Sequence, residues 1–391
     1  MSNPLSRVFS VEDMARLARS RLPRAVYDFY AGGAEDERTL RANLRAFEDL
    51  TLLTRVLTGS GAANTATKIL GVASAMPLAI APMGAVGFGR RDGDAAIARA
   101  AASAGVPYIL STTATTSIED LAAAAGGRLW FQLYAFRQKE RSLRLVERAK
   151  EAGYEALVVT VDVPVGGKRE RDLRNDFAMP FRFTARNLLD FSSRPRWALD
   201  MLLNGIPPLP NLVGVPAGDP DTADKVSSVG REFDPAFSWD DLKLLRKKWP
   251  GKLVLKGILH PGDALLAADA GCDAVVVSNH GGRQLDGAVA TMAALPQVCD
   301  MVGKRMEVFV DGGIRRGSDV ARAVALGATA VLTGRPALYG ACAAGEAGAS
   351  HVLTILRDEL VRTMILCGVP DIAGIGRELL LASLPAKAPA S

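Results

Sequence analysis

Eight apolar segments, each followed by a stretch of helical composition, predict an α/β fold of the (β/α)8 TIM-barrel class. The segments are nearly continuous runs of Val, Ile, Leu and Ala, as expected of parallel strands that are covered on both faces. Polar residues and glycines follow each segment, where the loops of a barrel build one functional face. A doubly wound open sheet is the structural alternative, because it uses the same alternation of strands and helices.

A helical segment, residues 1–70, precedes the first predicted strand. Ser10 stands where an N-cap is expected, directly before a helix with an acidic first turn. Pro23 begins a second helix, which Gly32 and Gly33 end. Because these helices come before the first strand, we expect them to form an N-terminal cap on the barrel.

The barrel itself is predicted for residues 71–372, followed by a C-terminal tail, residues 373–391, whose end we expect to be disordered. The eight predicted strands are residues 78–84, 107–112, 129–134, 156–162, 253–256, 274–278, 308–311 and 330–334.

A long loop, residues 166–238, separates the fourth strand from the helix that begins near Trp239. Loops of this length inside a compact domain are usually functional or disordered. Arginines flank its apolar residues, as they do in segments that bind membrane surfaces. An ordinary excursion that caps the barrel is the alternative. The apolar residues are Phe181, Phe183, Phe191, Trp197, Met201, Leu202, Leu203 and Ile206, and the arginines are Arg182, Arg186, Arg194 and Arg196.

Composition and charge exclude several classes of function. The 391 residues are 49% hydrophobic and 23% charged, which is ordinary for a soluble globular protein. The net charge is +5, but Lys and Arg form no long run, so nucleic acid is not an expected partner. Four widely spaced cysteines indicate neither a disulfide framework nor a metal site. With no apolar segment of spanning or signal-peptide length, we expect a cytoplasmic protein.

Side chains at the predicted strand ends are the candidates for chemistry, because a buried strand tolerates polar groups badly. Any one of them could be structural, but eight successive strands that end this way indicate a site. The candidates are Pro82, Met83, Gly84, Ser111, Gln132, Tyr134, Thr160, Asp162, Lys256, Ser278, His280, Arg283, Asp311, Gly312, Gly313, Arg315, Gly334 and Arg335.

The seventh and eighth strand ends indicate a phosphate site. Asp311-Gly-Gly-Ile-Arg315 and Thr333-Gly-Arg335 combine flexible glycine backbone with fixed positive charge. In barrels of this class these two loops, with a helix N-terminus behind them, commonly hold phosphate. A mononucleotide phosphate is therefore expected there.

One of the three histidines is placed for catalysis. His260 precedes Pro261 at a helix start and His351 lies within a helix, so packing or surface roles are expected for both. His280 follows a buried strand and precedes Arg283 by three residues, so the two side chains can face one cavity. Asp162, two strands away, could orient the His280 ring and stabilise its protonated form.

These motifs resemble one enzyme family along most of the chain. Ser278-Asn-His-Gly-Gly-Arg-Gln-Leu-Asp286, Asp311-Gly-Gly-Ile-Arg315, Phe131-Gln-Leu-Tyr134 and Thr160-Val-Asp162 are similar, in this order, to motifs of the FMN-dependent (S)-2-hydroxy acid oxidases and dehydrogenases. This family includes glycolate oxidase, L-lactate dehydrogenase and (S)-mandelate dehydrogenase. The resemblance runs from about Val11 to about Ile372.

The resemblance implies a role for each candidate. His280 would accept a proton while the 2-hydroxy carbon is oxidised, and Asp162 would pair with its imidazolium. Arg283 and Arg169 would bind the substrate carboxylate, and the Tyr134 hydroxyl would bond the substrate. The FMN contacts would come from Pro82, Met83, Gly84, Ser111, Gln132, Thr160, Lys256 and Ser278 at the flavin, and from Asp311, Gly312, Gly313, Arg315, Gly334 and Arg335 at ribityl and phosphate.

Three departures from the family pattern concern specificity. Phe29 stands where the family has a substrate-binding tyrosine, so one hydroxyl is missing unless a neighbouring tyrosine or a water replaces it. Thr113 stands at the pocket tryptophan of glycolate oxidase and predicts a larger cavity. Both favour a bulky or aromatic acid. Gly84 stands where the oxidases usually have alanine, which favours an acceptor other than oxygen. We therefore expect (S)-mandelate or an L-lactate-like acid as the substrate, with mandelate preferred.

The resemblance also implies a homotetramer, an electron acceptor that is either a quinone or oxygen, and peripheral contact of the long loop with the inner face of the membrane. Two alternatives stay open, and a third does not. The enzyme could be an oxygen-using oxidase of the same family, or a non-redox barrel lyase or isomerase that uses Lys256 as nucleophile. A flavin-binding protein without catalysis would be expected to lack His280 or Arg283, and both are present.

Overall fold

The computed structural model describes residues 4–59, 61–177, 184–212 and 232–381. Three helices open the chain: α1 (Val11–Arg21), α2 (Arg24–Ala31) and α3 (Arg38–Glu48). Helix α1 begins where the sequence predicts, because the Ser10 hydroxyl accepts a hydrogen bond from the Asp13 amide. The helices end at Glu48, well before residue 70.

An antiparallel hairpin of β1 (Thr67–Ile69) and β2 (Val72–Ser74) follows the helices. It lies at the end of the barrel where the strands begin, since the Leu70 amide donates to the Glu307 carboxylate there. The sequence does not predict this hairpin, because strands of three residues are too short to show a periodic pattern.

Eight parallel strands close into a barrel, which confirms the predicted fold class. They are β3 (Leu78–Ile80), β4 (Tyr108–Ser111), β5 (Leu129–Tyr134), β6 (Ala156–Thr160), β7 (Lys252–Ile258), β8 (Ala274–Val277), β9 (Glu307–Val310) and β10 (Ala330–Thr333). Each strand pairs with its neighbours in chain order, and β10 pairs back to β3. The open-sheet alternative is excluded.

Helices follow the strands as the alternation predicts. They are α4 (Gly93–Ser103), α5 (Ile118–Ala125), α6 (Lys139–Glu151), α7 (Glu170–Arg174), α8 (Ala185–Ser192), α9 (Pro195–Asn204), α10 (Trp239–Lys248), α11 (Pro261–Asp269), α12 (Thr291–Val302), α13 (Gly317–Ala325) and α14 (Arg335–Leu366), the last kinked at Ala344 and Gly345. Short 3-10 turns occupy Pro4–Arg7, Val86–Phe88, Pro210–Leu212, Ile372–Gly374 and Arg377–Leu379.

The interior of the barrel is filled with side chains. Trp130 and Phe309 stack there with ring centroids 6.1 Å apart, and both are fully buried. Val158, Val254 and Val276 complete the same cluster. Because the interior is packed, a ligand can enter only at an end of the barrel, and the strand-end side chains lie at the C-terminal one.

The part of the long loop that the structure describes contains three α-helices, α7, α8 and α9. Phe191 is buried and packs on Trp197 at 5.0 Å, so it is not part of an exposed aromatic surface. The leucines are exposed, with Leu202 at 81% and Leu203 at 72%. Phe181, Arg182, Phe183 and the Arg186 side chain lie outside the described part of the loop, as does the predicted C-terminal tail from residue 382.

Candidate active site

A cavity of about 530 Å³ opens at the C-terminal end of the barrel. Its volume lies within the roughly 300–1,000 Å³ that is usual for small-molecule and cofactor sites. Most of the predicted site residues line it. Four predicted residues, Ser111, Gln132, Asp162 and Ser278, are not among the lining residues. The predicted residues that do line the cavity are Phe29, Pro82, Met83, Gly84, Thr113, Tyr134, Thr160, Arg169, Lys256, His280, Arg283, Asp311, Gly312, Gly313, Arg315, Gly334 and Arg335.

His280 is held between a carboxylate and the cavity. Its Nδ1 lies 3.0 Å from Asp162 Oδ1, and its Nε2 lies 3.4 Å from the Tyr134 hydroxyl. Burial raises the pKa of Asp162, but the His280 ring and Lys256 outweigh burial and bring this pKa below its ordinary value. The carboxylate is therefore ionised and orients the His280 ring, whose Nε2 edge faces the cavity.

The turn that carries His280 has an unusual backbone. His280, Gly281 and Gly282 have φ angles of 59°, 64° and 75°. Left-handed backbone is common for glycine and uncommon for other residues, so His280 must be held there by its surroundings. Its amide donates to the Ser278 hydroxyl at 3.0 Å.

A glycine in β7, Gly257, leaves room for Asp162 to pack closely against that strand, and the sequence alone does not identify this role. Gly257 has φ 113°, and the strand register shifts around it. A Cβ atom at Gly257 would lie 2.7 Å from the Asp162 Cβ. An isolated glycine inside a strand is the usual sequence signal of such an irregularity or of close approach.

One wall of the cavity is cationic. Arg283 Nη1 donates to the Phe29 and Gly32 carbonyl oxygens at 2.8 and 2.9 Å. Burial, together with Arg169 and Arg335, lowers the pKa of Arg283 to about 9, so the side chain is still protonated at neutral pH. The Arg169 Nε donates to Asp172 at 2.8 Å. Partly buried cations grouped in this way suit an anionic ligand such as a carboxylate.

Phe29 lies between these two arginines. Its ring centroid is 5.4 Å from the Arg283 guanidinium carbon and 5.8 Å from that of Arg169. The adjacent Tyr30 does not replace the missing hydroxyl, because its own hydroxyl donates to the Ala85 carbonyl at 2.7 Å. Tyr27 stacks on Tyr339 instead, outside the lining of the cavity.

The remaining wall near His280 is apolar and aromatic. Phe177 packs on Phe29 at 4.9 Å, and Phe233 stacks on Tyr134 at 4.4 Å. Leu173 and Leu209 complete it. The sequence does not identify these four residues, because the long loop that supplies them has no periodic pattern to place its side chains.

At the other half of the cavity lie buried polar atoms that have no hydrogen-bond partner among the described residues. They are Gln132 Nε2, Thr160 Oγ1, Asp311 Oδ1 and Thr333 Oγ1. Buried polar groups are rarely left unsatisfied in proteins, so this group indicates a polar ligand. A flavin ring, whose edge carries amide and carbonyl groups, has the matching donors and acceptors, so these residues fit FMN.

Lys256 is paired within this half. Its Nζ lies 2.8 Å from Asp311 Oδ2 and 2.8 Å from the Ser278 hydroxyl. Burial lowers its pKa, but the carboxylates of Asp311 and Asp162 outweigh burial and raise the pKa above its ordinary value. A nucleophilic lysine must be neutral, so this arrangement counts against the lyase or isomerase alternative.

The predicted phosphate motifs lie beside Lys256. Gly312 and Gly313 have φ angles of 87° and 95°, and Gly334 precedes the N-terminus of α14. The Arg335 guanidinium nitrogens donate to the Tyr30, Gly32 and Gly281 carbonyl oxygens. The Arg335 backbone lies at the N-terminus of this helix, where an anion is favoured.

Gly84 and Thr113 lie in contact across the cavity rim. A Cβ atom at Gly84 would lie 2.2 Å from the Thr113 hydroxyl oxygen. An alanine at position 84 therefore requires Thr113 to move, so the two departures from the family pattern are sterically linked.

Comparison with known proteins gives a consistent result. Residues 18–382 match the FMN-dependent dehydrogenase family. The (S)-mandelate dehydrogenase of Pseudomonas putida is 42% identical over 95% of this chain and 94% of its own. The L-lactate dehydrogenase of Caulobacter vibrioides (strain NA1000 / CB15N) is 42% identical over 97% of this chain and 99% of its own. A crystal structure of the monotopic membrane protein (S)-mandelate dehydrogenase superposes with a TM-score of 0.90 at 41% identity, covering 96% of this chain and 100% of the other.

Proposed function

The chain belongs to the FMN-dependent dehydrogenase family, and we propose that it oxidises an (S)-2-hydroxy acid to the 2-oxo acid, with mandelate as the preferred type of substrate. One observation carries the proposal: the His280–Asp162 pair faces a cavity that has partly buried arginines on one side and an aromatic wall on the other. An acid-base group, a carboxylate site and room for an aromatic side chain are therefore combined.

The residues around His280 divide the work on the substrate. Arg283 and Arg169 bind the carboxylate, which holds the 2-hydroxy carbon near His280. His280 Nε2 accepts a proton as that carbon is oxidised, and Asp162 stabilises the resulting imidazolium. The Tyr134 hydroxyl, close to the same Nε2, bonds the substrate oxygen.

The other half of the cavity holds the cofactor. When bound, FMN takes up the two electrons that leave the substrate. Lys256 would supply a positive charge to the bound flavin, and Asp311 and Ser278 keep its side chain in place. The remaining contacts are assigned to Pro82, Met83, Gly84, Ser111, Gln132 and Thr160 at the ring, and to Gly312, Gly313, Arg315, Gly334 and the Arg335 backbone at ribityl and phosphate.

An aromatic substrate is favoured by the wall that faces His280. Phe177, Leu209 and Phe233 offer apolar surface, and Thr113 takes less space than a tryptophan. Glycolate would leave this surface without contact. The name of the mandelate dehydrogenase relative agrees with this preference, whereas the lactate dehydrogenase relatives make L-lactate the runner-up.

Anaerobic reduction of the bound flavin tests substrate and acceptor in one preparation. Loss of flavin absorbance should be fastest with (S)-mandelate, slower with L-lactate and slowest with glycolate. Reoxidation should be faster with a quinone than with oxygen. Faster reoxidation by oxygen would make the protein an oxidase, and a protein that binds no FMN would favour the non-redox alternative.

We further propose that the long loop attaches the enzyme to a membrane surface. Helices α8 and α9 expose Leu189 at 74%, together with Leu202 and Leu203. No helix among the described residues is long and apolar enough to cross a bilayer. A mandelate dehydrogenase of the same fold is described as monotopic, which agrees with attachment to one face.

Sedimentation with lipid vesicles tests this attachment. The wild type should sediment with vesicles that contain anionic lipid, and Leu202→Ser with Leu203→Ser should abolish this while leaving turnover intact. Leu244→Ser with Leu266→Ser, two exposed leucines on α10 and α11, is the matched control and should sediment as the wild type does. Equal sedimentation of both double variants would refute the assignment.

The quaternary structure and location implied by the family resemblance are also proposals. We propose a homotetramer on the cytoplasmic side of the membrane. Light scattering after size exclusion, in detergent, should give four times the chain mass of 41.3 kDa. A monomeric mass would contradict it.

A further inference from the structure

A buried asparagine of the N-terminal cap reaches the turn that carries His280. Asn43, on α3, is 1% exposed. Its Nδ2 donates to Asn279 Oδ1 at 2.8 Å, and Asn279 Nδ2 donates back to Asn43 Oδ1 at 2.8 Å. The two amides thus form a reciprocal pair between the cap and the residue that directly precedes His280.

The Asn279 side chain also holds the turn that contains His280. Its Oδ1 also accepts from the Gly282 amide at 3.1 Å, and its Nδ2 donates to the Val289 carbonyl at 3.0 Å. The left-handed residues His280, Gly281 and Gly282 are therefore bracketed by one side chain. Because left-handed backbone is unfavourable for histidine, the turn keeps this shape only while such contacts hold it.

Asn43 also contacts the glycine turn on the cofactor side. Its Oδ1 accepts from the Thr291 amide at 3.2 Å, and the Thr291 hydroxyl donates to the Asp311 carbonyl at 2.6 Å. A Cβ atom at Gly313 would lie 2.4 Å from the Asn43 carbonyl oxygen. One residue of the cap therefore touches both turns.

We propose that Asn43 is a positioning residue for both halves of the site. Through Asn279 it fixes the ring of His280, and through Thr291 and Gly313 it fixes the turn assigned to the cofactor. The test of this inference by activity rests on the proposed function. The tests by FMN binding and by backbone hydrogen exchange do not.

The test compares Asn43→Ala with the milder Asn43→Asp. The alanine removes the donor and the acceptor, whereas aspartate keeps the acceptor for Asn279 Nδ2 and Thr291. We expect Asn43→Ala to lower kcat on mandelate by about 10- to 100-fold, because a displacement of about 1 Å at a catalytic group can cost about 100-fold. Asn43→Asp should fall between it and the wild type, and it keeps the test available if the alanine variant does not fold.

A double-mutant cycle separates positioning from general destabilisation. Asn43→Ala and Asn279→Ala remove the same amide pair, so the double variant should lose about as much kcat as the worse single variant. Losses that multiply would overturn the proposed path through Asn279. Hydrogen exchange should rise in peptides covering residues 278–291 and stay unchanged in peptides covering β7; unchanged exchange in residues 278–291 would also overturn it.

Titration of the apoprotein with FMN provides the readout on the cofactor side. Fluorescence quenching should show weaker binding by about 10-fold in Asn43→Ala, and unchanged binding would overturn this half of the proposal. The control is Asp273→Asn at the opposite end of the barrel, which should lose stability while keeping kcat and FMN binding. If the wild type oxidises no 2-hydroxy acid, the proposed function fails, while exchange and FMN titration still decide the role of Asn43.

Discussion

The two ends of the barrel differ in how fully their polar groups are paired. Where the strands begin, charged side chains find partners within the chain: Asp273 accepts from Lys252, Arg246 and the Leu253 amide. Arg128 likewise binds Glu155 and the Ile69 carbonyl of the hairpin. Where the strands end, Gln132, Thr160, Asp162, Asp311 and Thr333 each keep a buried atom without a partner among the described residues.

The backbone follows the same division. His280, at the C-terminal end of the barrel (the mouth), is held in a left-handed conformation, and burial together with the neighbouring Arg169 and Arg335 depresses the pKa of Arg283. Unsatisfied polar atoms, strain and like charges all reduce the free energy of unfolding. One end of the barrel therefore contributes stability, whereas the other sacrifices stability for binding.

Replacing His280 should produce the largest effect at the mouth. His280→Asn cannot accept the proton, and asparagine tolerates left-handed backbone better than most residues. We expect kcat to fall by about 100- to 10,000-fold, as for loss of a general base, with FMN absorbance retained. Steady-state kinetics and a flavin spectrum measure both.

The same substitution at His260 is the matched control. His260 caps α11 by accepting from the Gly262 amide through Nδ1, a task that asparagine performs equally well. His260→Asn should keep full activity. If His280→Asn kept near-normal turnover, the assignment of His280 as the catalytic base would be wrong.

Much of this division was predictable from sequence, because each end has its own signal. Apolar runs that stop at Ser278, Asp311 or Gly334 mark the strand ends, and a polar side chain after a buried strand is costly unless it has a task. The motif around His280 added the family and the cofactor. The strand ends alone would not have shown that the Nδ1 side of the His280 ring contacts Asp162 while its Nε2 side faces the cavity.

Other parts could not be predicted, for physical reasons. Phe177 and Phe233 reach the cavity from a long loop whose course depends on tertiary packing. The pairing of Asn43 with Asn279 joins residues far apart in the chain, and no local pattern records it. The engagement of Tyr30 with the Ala85 carbonyl is of the same kind.

A hydroxyl at position 29 should produce a smaller effect and sharpen the specificity of the mouth. In Phe29→Tyr the new hydroxyl adjoins Arg169 and Arg283, where a hydrogen bond to a charged group is worth about 1.5 to 3 kcal/mol. We expect kcat/KM for L-lactate and glycolate to rise by about 10-fold or more, and that for mandelate to change less. Kinetics on the three acids measure the ratio.

Phe29→Leu serves as the control for Phe29→Tyr, because it removes the aromatic ring without adding a hydroxyl. It should lower kcat/KM for all three acids to a similar extent, because it removes the contact between the ring and the two arginines. If Phe29→Tyr behaved as Phe29→Leu does, the hydroxyl would have no bearing on specificity.

The smallest effect on activity is expected at the other end, from Asp273→Asn. Burial raises the pKa of Asp273, but hydrogen bonds from Lys252 and the Leu253 amide outweigh burial and hold it below its ordinary value. The carboxylate's contribution is therefore fully present above about pH 4 and is lost as the pH falls through the depressed pKa. The variant should lose about 1 to 3 kcal/mol of unfolding free energy at pH 7, and this deficit should shrink towards pH 3.

Denaturant unfolding at both pH values measures that deficit, with kcat on mandelate determined in parallel. An unchanged kcat is expected, because the packed barrel interior, with Trp130 against Phe309, separates Asp273 from the cavity. A fall in kcat comparable to that of the mouth variants would show that the two ends are coupled, and the division of stability from binding would then be wrong.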